Sequence, residues 1–241
     1  MTFLIDTVAI VNGLVLLLIL ILLLRGPIGK FRIVLFYVAW ELLATAALTI
    51  FDVLYKSPAQ VNNVARADAV QWYARLYWSN DVIVDLFRFI LVIVLTYRAT
   101  APGAKRAPIG RVLGGTIAVT MLLPFLLFPM GSNAWPKAAW FNSTSELLNF
   151  GAAIMNLGLW AALIANRQRD RQFVAVSMGL GILVTGTAIS YGVRHFFSPQ
   201  DRSIPDLFLM LVQLGAWTVW CLAFWPAPAR SLVPDKALQS P

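Results

Sequence analysis

The chain has little charge and few of the residues that usually carry chemistry. Of its 241 residues 12% are Asp, Glu, Lys or Arg, and there is one cysteine and one histidine. Cys221 alone excludes an intrachain disulfide and a Cys-only metal cluster. It reads as a small buried apolar residue of the last helix. A single His195 excludes bis-histidine haem ligation within one chain and the His-rich metal sites of seven-helix hydrolases. No Walker loop, dinucleotide-binding fingerprint or nucleophile elbow is present. These absences argue against an enzyme: no catalytic residue, metal site or cofactor is assigned.

What the chain has instead is apolar length. Hydrophobic residues make up 59% of it, and the mean hydropathy is +0.74, far from a soluble domain of this size. A spanning helix needs about 20 mostly apolar residues. Seven such runs occur, at Phe3 to Leu24, Ile33 to Tyr55, Gln71 to Thr96, Val112 to Phe128, Glu146 to Ala165, Phe173 to Val193 and Asp206 to Trp225. The expected fold is all-α: a polytopic bundle of seven transmembrane helices over residues 1–225, with a short tail, 226–241, too small for an output module. There is no convincing internal repeat.

Loop charges orient the bundle. The first, third and fifth loops hold Arg25, Lys30 and Arg32, then Arg98, Lys105, Arg106 and Arg111, then Arg167, Arg169 and Arg171. The even loops are poorer in Lys and Arg, so the odd loops face the cytoplasm, the N-terminus lies outside and the C-terminus inside. The basic residues of the first loop follow rather than precede the apolar run, so the first helix is expected to remain in the mature protein. The net charge of +8 lies in short loops beside anionic headgroups, which makes the lipid bilayer rather than nucleic acid the expected partner. Trp135, Trp140 and Phe141 place the fourth loop at the outer interface.

Some polar residues have ordinary explanations. Ser143 with Glu146, and Ser203 with Asp206, have capping-box spacing for the starts of the fifth and seventh helices. Ala175, Ser177, Gly179, Gly181, Thr185 and Gly186 make the sixth helix one that neighbours can approach closely. Pro124 is expected to bend the fourth.

The intramembrane charges are the functional candidates, because a charge at the bilayer centre costs at least about 2.5 kcal/mol and must face protein or water. Trp78, Asp81, Asp85 and Arg88 follow three- and four-residue steps and form one stripe facing the interior. Arg75 lies further out on the same helix. On the second helix Glu41 and Asp52 share a face, being eleven residues apart. Counting about 1.5 Å per residue, Glu41 lies level with Arg88 and Asp52 with Arg75 across antiparallel neighbours. Asp81 has no base at its level. A buried carboxylate without a cationic partner favours its neutral form and can exchange a proton. Asn149, Asn156 and Gln213, with Trp78, are candidates for the lining of a cavity.

Tyr73, Tyr77 and Trp78, followed by Ser79, Asn80 and Asp81, an apolar run and Tyr97-Arg98, resemble a pattern in uncharacterised seven-helix proteins of acidobacterial genomes. The resemblance covers mainly this span and the topology. It implies a bacterial inner membrane and no activity. Those sequences carry Glu where this one has Asp81. Arg75, Trp78 and Asp81 also faintly resemble a retinal pocket. Retinal needs a lysine in the last helix, and Lys30, Lys56, Lys105, Lys137 and Lys236 all lie outside the spans. The expected function is a sensory or accessory membrane subunit acting on a cytoplasmic or membrane protein partner. The alternative is a small-solute or proton-coupled transporter.

The topology is tested by single cysteines. In intact cells an impermeant thiol reagent should label Ser132→Cys and spare Gln168→Cys. The reverse pattern would invert the bundle.

Overall fold

Seven helices form among the described residues. In the computed structural model they are α1 (Thr2–Arg25), α2 (Arg32–Lys56), α3 (Asn63–Thr100), α4 (Arg106–Leu127), α5 (Ala138–Ala165), α6 (Arg171–Arg194) and α7 (Ser203–Phe224). The structure describes residues 2–26, 28–56, 63–100, 106–127, 138–166, 170–194, 196–197 and 203–226, and side chains for most of these. Asp52 has no described side chain, while Trp135, His195 and the tail beyond Pro226 lie outside the described residues. The expectations that fall on them, the Asp52–Arg75 pairing among them, lie outside as well.

Six of the helices are long and apolar enough to cross a membrane. The exception is α3, whose apolar half is interrupted by Asp81, Asp85 and Arg88. Its 38 residues would extend about 57 Å at the usual helical rise, nearly twice the hydrocarbon thickness. The outward surface carries Leu14, Phe36, Leu43, Val112, Leu126, Ile154, Ile164 and Leu222, all well exposed. Such a continuous apolar exterior suits lipid rather than water. The chain is built as a multi-pass membrane protein.

The helices pack in a ring. Contacts run α1 to α2, α2 to α3, α3 to α5, α5 to α6, α6 to α7 and α7 back to α1. In addition α3 touches α6 across the ring, and α4 lies outside it against α3 and α5 alone. The sixth helix is central, as its small residues suggest. A Cβ on Gly179 would stand 2.4 Å from the Trp220 ring, and one on Gly186 only 2.2 Å from Val212. Only glycine lets α7 approach this closely. Trp220 then donates its indole N–H to the Val176 carbonyl at 2.9 Å.

Three helix starts lie well before the expected ones, and the first of them is that of the fourth helix, at Arg106 rather than Val112. The fifth helix starts at Ala138 rather than Glu146, so Ser143 and Glu146 lie inside it and form no capping box. Trp140 and Phe141 belong to its first turn rather than to a loop. The reason is aromatic packing, which hydropathy does not register: Trp140 packs on Phe125 of α4 and Phe141 stacks on Trp78 of α3. The third helix likewise begins at Asn63, eight residues before the apolar run. Cys221 is half-buried, facing the Val15 carbonyl.

The end of the bundle that carries Lys30 is tied by polar contacts. Lys30 pairs with Asp170, Arg98 donates to the Lys30 carbonyl, and the Asn166 amide donates to the Ala99 carbonyl at 2.7 Å. Asp170 also caps α6, accepting from the backbone N–H groups of Gln172 at 3.1 Å and Phe173 at 3.2 Å. Partial burial raises the Asp170 carboxyl, but the Lys30 ammonium and the two N–H groups outweigh it and hold it below the usual carboxylate range.

Because the folded state lowers this carboxyl, its ionised form adds stability above the ordinary Asp value. That contribution is lost as pH falls below it. Asp170→Ala should cost about 1 kcal/mol at neutral pH through the lost cap. The stability gap between wild type and Asp170→Asn should shrink on acidification, as measured by denaturant unfolding in detergent at both pH values.

Candidate functional site

The polar stripe of α3 reaches three neighbouring helices. Asp85 and Arg88, one turn apart, bond to each other through Arg88 Nη1 and Asp85 Oδ1 at 2.8 Å. Both are sealed, the Arg88 side chain 4% exposed and that of Asp85 0%. From α2, Glu41 brings Oε1 to 3.8 Å from Arg88 Nη2. Tyr37, one turn before Glu41, accepts a hydrogen bond from Arg88 Nε at 3.1 Å. One guanidinium thus serves two carboxylates and a phenol, using the forked donor geometry that lysine lacks.

Asp81, about 10 Å along the helix from Arg88 at the usual rise, meets α6. Its Oδ2 accepts the hydroxyl of Tyr191 at 2.5 Å. The partner is a phenol and not a base, which leaves the charge of an ionised Asp81 uncompensated by this contact. Asp81 is also within electrostatic reach of Glu41 and Asp85. Beyond it, the Arg194 guanidinium lies 5.0 Å from the centre of the Tyr191 ring and bonds Asp206 of α7 at 2.7 Å. Asp206 sits in the first turn of α7 as expected, but it serves as an ion-pair partner for α6. The groups form a ladder: Asp206, Arg194, Tyr191, Asp81, then Asp85 with Glu41, then Arg88 and Tyr37.

Toward the Lys30 end the ladder stops at aromatic rings. Tyr37 packs against Trp217 and Trp220 at centroid distances of 5.8 and 6.0 Å, and Phe31 meets Phe224 at 5.4 Å. All five rings are buried.

Several polar atoms around the ladder are buried without a hydrogen-bond partner. They include Glu41 Oε2, Asp85 Oδ2, Ser145 Oγ and Asn149 Oδ1. Ser145 and Asn149 of α5 stand against the Asp85 carboxylate, near enough to act on it as hydrogen-bond donors, and the Asn149 amide also donates to its own helix at the Ser145 carbonyl at 2.8 Å. Open valences of this kind are uncommon in protein interiors and mark places where a proton or a ligand changes the balance.

The expected site residues therefore divide. Glu41, Asp81, Asp85 and Arg88 come together, with Asn149 beside them. Trp78 stacks on Phe141 of α5. Asn156 is buried against Gly181 of α6. Gln213 does line a cavity, of about 130 Å³, between α1, α2 and α7. Arg75 holds its guanidinium 5.3 Å from the Trp72 ring centre. Among the described residues no three His, Cys, Asp or Glu side chains converge as a metal site would require.

Comparison with family models, with curated proteins and with solved structures returns no match.

Sequence reasoning missed Tyr37, Ser145, Tyr191 and Asn12. Tyr37 was within reach, lying one turn from Glu41 on the same face. Asn12 is an isolated amide in an otherwise apolar helix. Tyr191 carries no local signal, because its partner is 110 residues away.

Removing Arg88 strands two carboxylates, so Arg88→Gln should cost roughly 3 to 5 kcal/mol, more than Glu41→Gln. In double-mutant cycles of detergent unfolding, the Asp85–Arg88 coupling should exceed that of Glu41–Arg88, because the first contact is a hydrogen bond and the second a looser pair. Additive losses in both cycles would show that the guanidinium is not shared.

Proposed function

We propose that this chain is a sensory or accessory subunit of a bacterial inner membrane, with its N-terminus outside, in which the polar ladder takes up and releases a proton from the Arg194 end. The Lys30 end, with its basic loops, then faces a cytoplasmic partner. The observation that carries this is the shape of the ladder. It runs from Asp206 and Arg194 into the bundle and ends at Tyr37 against buried rings.

Within it Glu41, Asp81 and Asp85 lie close together, while Arg88 contacts two of them. Crowded carboxylates in a low-dielectric interior relieve their repulsion by binding protons. A proton arriving within this group weakens the repulsion among the three carboxylates. That alters how Glu41 and Asp85 share Arg88, and with it the α2–α3 contact. The end of α2 that receives the change leads directly to Phe31 and Lys30.

The transporter alternative, for a small solute or for protons with one, needs a polar route through the Lys30 end. The rings of Phe31, Tyr37, Trp217, Trp220 and Phe224 fill that place.

Infrared difference spectroscopy of the protein in lipid should show a carboxylic C=O band that changes with pH, lost or displaced in Asp81→Asn and shifted in Tyr191→Phe. Proteoliposomes should show no proton flux or solute uptake. Flux abolished by Asp81→Asn would establish transport instead. Absence of any pH-dependent carboxylic band would make the ladder a structural ion-pair network.

A further inference from the structure

At its Arg194 end the ladder presents a fixed cation. Arg194, the last residue of α6, follows Tyr191 by three residues, so it shares that face of the helix and lies one level further along it. Its guanidinium stands 5.0 Å from the centre of the Tyr191 ring, whose hydroxyl bonds Asp81. Asp206 of α7 holds it at 2.7 Å. Of these two side chains Asp206 is the more exposed, 44% against 30%, while Tyr191 is buried. Tyr77 of α3, one turn before Asp81, is within electrostatic reach of Asp81, Arg194 and Asp206 and adds a second phenol to this mouth. Read from the exposed end inward, the order is acid, guanidinium, phenol, acid.

Behind the guanidinium lies an excess of acids. Asp81 is within electrostatic reach of Glu41 and Asp85, and those two share the single guanidinium of Arg88. Such a group attracts any small cation, sodium as well as a proton. We infer that Arg194 is the specificity-determining residue of the ladder: its fixed charge holds sodium and other metal cations away from Glu41, Asp81 and Asp85, so that these acids answer to protons. This role rests on the proton uptake proposed above, for which it supplies the selectivity. The two cations differ in how they travel. A proton crosses from oxygen to oxygen along hydrogen bonds and needs no cavity, and the Tyr191 hydroxyl already bonds Asp81. A sodium ion moves as a whole charge with its oxygen ligands, and on this route it must pass a guanidinium that stays protonated at any working pH. Like charges in a partly desolvated mouth repel far more strongly than in water. Asp206 does not cancel this barrier. As the more exposed member of the pair it steadies Arg194, and the guanidinium remains the charge that stands against the Tyr191 ring.

The test uses the full chain in lipid nanodiscs, with sodium chloride replacing choline chloride at constant ionic strength, followed by thermal unfolding and by the carboxylic infrared band. Wild type should be indifferent to the exchange. In Arg194→Gln, sodium should raise the unfolding midpoint saturably, and the pH midpoint of the band should fall by up to about one unit for each tenfold rise in sodium, as a sodium ion displaces a proton. Asp206→Asn breaks the same ion pair but keeps the guanidinium, and it should stay indifferent to sodium. A purely structural role for the pair would make the two variants alike. Should Arg194→Gln fold poorly, the double variant Arg194→Gln with Asp206→Asn leaves neither charge unpaired and should show the same sodium response. Sodium indifference in the variants lacking Arg194, a sodium response in wild type, or equal responses in Arg194→Gln and Asp206→Asn would each overturn the assignment. If wild type shows no pH-dependent carboxylic band, proton uptake itself fails, and sodium-dependent unfolding still decides whether Arg194 guards the acids.

Discussion

The interior of this bundle depends on one guanidinium. Arg88 is buried among apolar helices, where an unpaired charge would be untenable, and it is held by Asp85 on its own helix and by Glu41 and Tyr37 on α2. Those contacts set the rotation of α3, since turning it would withdraw Arg88 from its partners. With α3 so oriented, Asp81 points to Tyr191 of α6 and Asp85 to the amide and hydroxyl of α5. Four helices are thereby referenced to a single side chain. Apolar packing between helices in lipid lacks this directionality.

Sharing has a chemical consequence. A lone Arg–Glu pair would be a neutral, inert unit, whereas a guanidinium divided between two acids, with a third acid nearby, leaves negative charge that a proton can offset. Asp81 turns toward α6 and the Arg194 end, while Glu41 turns toward Arg88 from α2. The aromatic rings beneath Tyr37 prevent the ladder from continuing to the Lys30 end as a polar path. They also give a change at Glu41 something rigid to act against.

Most of the helical layout was legible in the sequence, for a physical reason. An apolar run of about 20 residues has few stable arrangements in a bilayer other than a spanning helix, and charges at three- and four-residue steps must share a face. Equal depth on antiparallel helices was enough to bring Glu41 and Arg88 together. The early start of α5 was not legible, because hydropathy weighs Asn142, Ser143 and Glu146 as a break. In the structure the stacking of Trp140 and Phe141 on neighbouring helices carries the segment through them. The expectation that Asp81 lacks a base at its level did not foresee a phenol there, since hydroxyl donors do not register in a count of charges.

The sequence by itself determined that the chain is a set of apolar helices with acids and a base facing inward, because hydrophobic transfer and helical periodicity act locally and sum along the chain. Only the tertiary structure decided which acid meets which donor. Asp81 and Tyr191 are separated by 110 residues, and Asn12 and Met210 by 198. Their contacts depend on helix rotation and closeness of approach, as at Gly179 and Gly186 against α7. Packing sets those quantities through all seven helices at once, so no single segment encodes them.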